Sequence, residues 1–137
     1  MQVVADQIRS VPEETDNRPG PTYVFRHDGP SWAIGEEGNV FYLEDTVGVR
    51  CLAQLVRQPG KKLSAAALLA ASGSRTAAEG RCTAARARAN ATAVVRGAIR
   101  RIAANDRPLA RHLTSSVRTG RTCRYQVDQE APVVWRC

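Results

Sequence analysis

Aromatic side chains are scarce in this 137-residue chain, which has only two Trp, three Tyr and two Phe, 5 % in all. A core drawn from such a sequence is mostly aliphatic and lean, and modest stability is expected of it. No run of ~18 apolar residues is present to span a bilayer, and Met1–Ser10 lacks the basic and then apolar regions of an export signal. A cytoplasmic protein with no membrane partner is expected. The four cysteines, Cys51, Cys82, Cys123 and Cys137, show no C-x2-C spacing, and His27 and His112 stand apart from any cysteine or carboxylate at ligand spacing. That excludes a recognisable metal site and a disulfide scaffold and leaves most thiols reduced. Cys123 and Cys137 are the pair from which a thiol sensor or an intermolecular disulfide could be built. Phosphate-binding loops, nucleophile elbows and zinc-protease helices are missing as well. The adjacent carboxylates Glu13-Glu14, Glu36-Glu37 and Glu44-Asp45 fall on loops, diverge rather than share a proton, and read as solvating charge. Neither an enzyme nor a cofactor is expected.

Lysine is also rare, since eighteen of the twenty basic residues are Arg, and the formal net charge is +7. Its distribution says more than its size. Residues 1–48 hold nine acidic and three basic side chains, net −6, whereas residues 49–137 hold seventeen basic and four acidic, net +13. A positive field of that density suits a polyanion, because each phosphate neutralised releases condensed counterions. A merely solvated, arginine-rich surface is the plain alternative.

Residues 1–22, rich in Pro, Glu and Gly, have too little apolar surface to offset the cost of ordering and are expected to form a flexible arm; residues 23–137 make one domain. Tyr23-Val24-Phe25, Ser31-Trp32-Ala33-Ile34 and Val40-Phe41-Tyr42-Leu43, separated by His27-Asp28-Gly29-Pro30 and Gly35-Glu36-Glu37-Gly38, predict a three-stranded antiparallel meander. Asp45 or Thr46 then caps a helix carrying Val47, Cys51, Leu52, Leu55 and Val56, stopped by Pro59-Gly60. Ser64 caps a short second helix, Ala65–Ala71, and Ser72–Gly80 is a linker. A long third helix covers roughly Cys82–Asn105, with Ala91, Val94, Val95, Ala98, Ile99 and Ile102 on one arc and Arg86, Arg96, Arg100 and Arg101 on the other. Asp106 and Pro108 start another short helix, to His112 or Leu113. Ser115 and Val117 pair with Cys123, Tyr125 and Val127 across Arg118-Thr119-Gly120-Arg121, where Gly120 supplies a positive φ. Trp32, Phe41, Tyr42 and Trp135 are core or seam residues.

The order of strands, three to four helices and a C-terminal hairpin, together with Gln58-Pro59-Gly60-Lys61-Lys62-Leu63-Ser64 and Ser116-Val117-Arg118-Thr119-Gly120-Arg121-Thr122-Cys123-Arg124-Tyr125, resembles the winged-helix output domain of OmpR/PhoB-type response regulators. Asn90-Ala91-Thr92, Ile99-Arg100-Arg101-Ile102-Ala103, Leu109-Ala110-Arg111-His112-Leu113 and Pro132-Val133-Val134-Trp135 are similar to the ending of uncharacterised actinobacterial regulator-like proteins. The resemblance implies an α+β winged helix-turn-helix and a transcriptional regulator that binds double-stranded DNA sequence-specifically. Arg86, Arg96, Arg100 and Arg101 would reach phosphates or guanine edges; Arg118, Arg121 and Arg124 would enter the minor groove from the wing; Lys61 and Lys62 would clamp phosphates. Either the third helix or Asp106–Leu113 would enter the groove. A homodimer and a small-molecule effector are compatible with this reading. The alternative is a winged-helix-like module that binds a small anionic ligand, a nucleotide or a protein instead of DNA.

Overall fold

The computed structural model describes residues 21–74, 83–126 and 133–137. The expected arm as far as residue 20, most of the Ser72–Gly80 linker, Cys82, Val127 and Pro132 lie outside them. In chain order the elements are β1 (Thr22–Asp28), β2 (Ser31–Glu36), β3 (Asn39–Glu44), α1 (Val47–Arg57), β4 (Leu63–Ser64), α2 (Ala65–Ala71), α3 (Ala84–Ala103), α4 (Arg107–Ser116), β5 (Val117–Arg118), β6 (Thr122–Tyr125) and β7 (Val134–Arg136). The fold is α+β, with four helices and sheets of four and three strands among the described residues. Among the described residues no helix is long and apolar enough to cross a membrane.

The meander forms as expected, Phe25 facing Ile34 across β1 and β2 and Ile34 facing Phe41 across β2 and β3. Thr22, assigned from composition to the arm, heads β1 because it is paired: it sits opposite Val134 of β7, and its carbonyl accepts from Glu37 N at 2.9 Å. The fourth strand was not foreseen. β7 lies parallel to β1 with Trp135 opposite Tyr23, so the strand order is β3-β2-β1-β7. The second sheet has the order β4-β6-β5, with Leu63 opposite Cys123 and Val117 opposite Tyr125.

Each helix start was written locally. Thr46 accepts from Val49 N at 3.3 Å, Ser64 from Ala67 N at 3.1 Å, Thr83 from Arg86 N at 3.1 Å and Asp106 from Leu109 N at 3.1 Å. The last helix runs further than expected: Ser115 is not a strand residue but lies in the last turn of α4, its Oγ donating to the Arg111 carbonyl at 2.9 Å. The strand therefore begins at Val117.

One core joins the two sheets to the helices, filled by Phe25, Ile34, Leu52, Leu55, Leu68, Ile102, Leu109, Leu113 and Tyr125. It is less aliphatic than composition suggested. Five of the seven aromatic residues, Tyr23, Phe25, Trp32, Tyr125 and Trp135, touch one another in a chain of ring contacts with centroids 5.6–6.2 Å apart. Such contacts add to plain area burial.

α3 packs through small residues, Ala87, Ala91 and Ala98 among them, which allows close approach by α1. Gly48 is the point of contact, because a Cβ there would collide with the Val94 carbonyl oxygen. Gly97, on the same helix as Val94, has only the end of the Arg100 side chain nearby, at 3.9 Å. Gly48→Ala is expected to destabilise the fold by about 1–3 kcal/mol through overpacking, while Gly97→Ala gains up to ~1 kcal/mol of helix propensity. Denaturant unfolding of both variants checks this; equal effects would refute the close approach.

Candidate functional site

The buried face of α3 turns its opposite edge toward the β5–β6 hairpin. Arg88, Thr92, Arg96 and Arg100 follow at four-residue spacing, and all four line an open cleft of about 700 Å³ closed on its other side by Gly120 and Arg121. The turn that carries Arg121 requires Gly120, whose φ of 149° is strained for any other residue. The Thr92 hydroxyl is 3.0 Å from the Thr119 hydroxyl, fastening the hairpin tip to the helix. At the base of the hairpin Tyr125 is fully buried.

A second cleft, of about 460 Å³, is lined by Val95, Arg96, Ile99 and Arg100 of α3, Thr114 of α4, and Val117, Arg118 and Thr119 of the hairpin. Arg96 and Arg100 border both clefts. Of the other residues singled out from sequence, Arg118 borders the second cleft and Arg121 the first, while half-buried Arg124 sits opposite Arg118 across the hairpin. Arg101 lies on a different side of α3, in a depression shared with Thr46, Val47 and Gly48 of the start of α1. Arg86 in the first turn of α3 and Lys61 and Lys62 before β4 are exposed and line neither cleft.

Arg88 and the threonine pair were missed. Arg88 precedes Val95 and Ile99 by seven and eleven residues, the spacing of the apolar arc, so a helical wheel assigns it to the packed side. Only the hairpin's position makes it a cleft residue. The four-residue repeat running Arg88, Thr92, Arg96, Arg100 was the available signal.

Ion pairing is unevenly distributed among the described residues. Among the described residues no carboxylate forms an ion pair with Arg88, Arg96, Arg100, Arg118, Arg121 or Arg124. The acids pair elsewhere: Glu37 with Arg136, and Asp45 with Arg50 and His27. Arg118 and Arg124 even stand directly opposite each other, an arrangement that costs stability unless an anion lies nearby.

Asp45 corrects its reading as solvating charge. Arg50 grips it with Nε at 2.8 Å and Nη2 at 2.7 Å, Trp32 Nε1 donates at 2.8 Å, and His27 Nε2 is 3.4 Å away. The Arg50 hydrogen bonds hold its carboxyl well below the usual carboxylate range, against the opposing effect of burial, with Trp32 and the charges of Arg50 and His27 assisting. His27 stacks on Trp32 at 4.6 Å, and the Arg57 guanidinium lies 5.8 Å from the same ring. This cluster ties the first sheet to α1. Cys123 is poorly suited to a thiol sensor: it is fully buried and burial pushes its thiol pKa up, as it pushes Cys51 to about 11. Thiolates are disfavoured at both. Cys137 is exposed, and among the described residues no group of His, Cys, Asp or Glu could hold a metal ion.

Compared with protein-family models, with curated proteins and with solved structures, the chain matches none.

Asp45→Asn is expected to lower stability at neutral pH by about 1–2 kcal/mol, the upper end of a charged hydrogen bond being trimmed by the partial exposure of Arg50. Because the folded-state pKa is depressed, that stabilisation is present above about pH 4 and is lost as pH falls below the carboxylate range. The gap between wild type and variant should therefore close toward pH 2 in acid-unfolding curves, and a gap constant with pH would contradict the assignment. Thr92→Val should cost about 0.5–1.5 kcal/mol and speed amide exchange in the hairpin turn while leaving β1–β3 unchanged; unaltered exchange at the turn would show that the hydroxyl pair holds nothing.

Proposed function

We propose that the protein is a DNA-binding transcriptional regulator of winged-helix type, with α3 as the helix laid in the major groove and the β5–β6 hairpin as the wing. The observation that carries this reading is the convergence of Arg88, Arg96 and Arg100 with Arg121 on one open cleft, with no carboxylate paired to any of them among the described residues. Unneutralised guanidinium groups at that density favour a polyanion, and a planar fork suits both phosphate oxygens and the O6 and N7 edge of guanine. The 20 residues of α3 extend about 30 Å, long enough to lie along a groove and still contact backbone at both ends. Between the two helices considered from sequence, α3 is favoured over α4, because α4 adds no arginine to either cleft. Arg118 and Arg124 on the hairpin arms would contact the flanking backbone or minor groove. Lys61, Lys62 and Arg86 would act as outlying phosphate contacts, and Arg101, beside α1, as a weaker one.

Fluorescence anisotropy against duplex from the region upstream of the protein's own gene, with a scrambled duplex of equal length beside it, tests the proposal. Tight, salt-dependent binding with a preference for the native duplex is expected. Arg96→Ala combined with Arg100→Ala should weaken binding about tenfold or more and reduce the slope of log affinity against log salt by about 2, since each phosphate contact contributes about 0.9. No binding at low salt, or a salt slope unchanged in the double variant, would overturn it. Binding of inorganic polyphosphate with no response to duplex DNA would support the anion-binding alternative.

A further inference from the structure

The second cleft differs in chemistry from the first. Its floor is apolar, from Val95, Ile99 and Val117, and hydroxyls stand at its wall from Thr114 and Thr119. Three guanidinium groups, those of Arg96, Arg100 and Arg118, are placed around it. Duplex DNA offers phosphates and base edges to a convex helix and hairpin; it has no compact apolar body to fill a cleft of about 460 Å³. That volume, with an apolar floor and a few polar groups convergent on it, is within the range of sites for small organic molecules. The Thr114 hydroxyl donates to the Ala110 carbonyl at 2.8 Å, which commits its proton to the helix.

We infer that this cleft is a binding site for a small organic acid, an apolar body carrying one carboxylate or sulfonate, and that its occupant competes with DNA for Arg96 and Arg100. The apolar body covers Ile99 and Val117, and the acid group takes the guanidinium of Arg96, Arg100 or both. Each of these arginines borders both clefts, so a guanidinium turned onto the acid is withdrawn from the outer surface. By linkage, DNA must weaken the acid by the same factor that the acid weakens DNA. The Thr92–Thr119 bond keeps the hairpin tip on α3, so the cleft does not open to relieve the competition. The competition rests on the reading of α3 as the DNA-contacting helix; the binding of the acid does not.

The probe is 8-anilinonaphthalene-1-sulfonate, whose emission rises when its rings leave water, titrated into the full chain without DNA. Uncharged N-phenylnaphthylamine and inorganic sulfate serve as the two halves of its chemistry. Saturable one-to-one binding of the sulfonate is expected, at least tenfold tighter than either half. Thr114→Phe fills the cleft from α4 without touching an arginine, and its thermal midpoint and circular dichroism report whether it is folded. This variant should lose sulfonate binding at least tenfold while holding duplex affinity within about twofold. Saturating sulfonate should weaken duplex binding to the wild type about tenfold and to Thr114→Phe not at all. Sulfonate binding unaffected by Thr114→Phe, or no saturable binding, overturns the site. Duplex and sulfonate bound together without mutual effect overturns the competition. Sulfonate binding lost in Thr114→Phe with no duplex binding in any variant supports the site and overturns the DNA reading alone.

Discussion

The rest of the structure depends on one buried phenol. Tyr125 is fully buried, its hydroxyl accepts from Trp135 Nε1 at 2.9 Å and lies 2.6 Å from His112 Nε2, and its carbonyl accepts from Gly60 N at 2.7 Å. Four separate parts of the chain therefore meet at one residue: the loop after α1, α4, the hairpin and the final strand. Burial raises the Tyr125 pKa, and the Trp135 hydrogen bond opposes that rise. The indole can only donate, so the phenol oxygen accepts from it. Trp135, held this way, packs on Tyr23 and Phe25 and brings β7 beside β1. The two sheets are thus registered to each other through side chains.

A second constraint is the unequal use of charge. At the sheet end, Asp45 is shared by Arg50, Trp32 and His27, an arrangement in which a half-buried carboxylate is fully hydrogen-bonded and stabilises the join of β3 to α1. Arg88, Arg96 and Arg100 of α3 and the arginines of the hairpin have no such partners among the described residues. Self-repulsion there, Arg118 against Arg124 most directly, works against the folded state. Such a cluster does not stabilise the fold through its charges. Its consistency with α3 and hairpin geometry is therefore an argument for an anionic partner at that surface and against a merely solvated face.

What was legible in the sequence was what depends on near neighbours. Caps at Thr46, Ser64 and Asp106, the meander with its turn residues, and the positive φ at Gly120 each follow from the preferences of a few adjacent residues. Pairings between distant segments were not legible. β4 and β5 are two residues long, too short to show an alternation, and β7 pairs in parallel across more than a hundred residues of chain. The aromatics misled for a related reason: counting them gave a lean aliphatic core, but their effect comes from being gathered at one seam. Arg88 shows the same limit at the candidate site. Its wheel position marks it as packed, and only a hairpin that arrives from thirty residues onward turns that position into the wall of a cleft.

The hairpin is held at both ends before any partner arrives. Its base is anchored by Tyr125 in the core and by β6 pairing with β4, and its tip is anchored by Thr119 on Thr92. Arg118, Arg121 and Arg124 consequently start from a backbone whose position relative to α3 is already determined, and only their side chains remain to be ordered on binding. The gain is entropic, because immobilising a loop at the moment of association subtracts from affinity whereas a loop ordered by folding does not. The same rigidity has a cost in versatility. On the proposed DNA-binding reading, a hairpin fastened at tip and base would leave adjustment to different grooves to the arginine side chains, Arg96 and Arg100 among them, which have a cleft on either side.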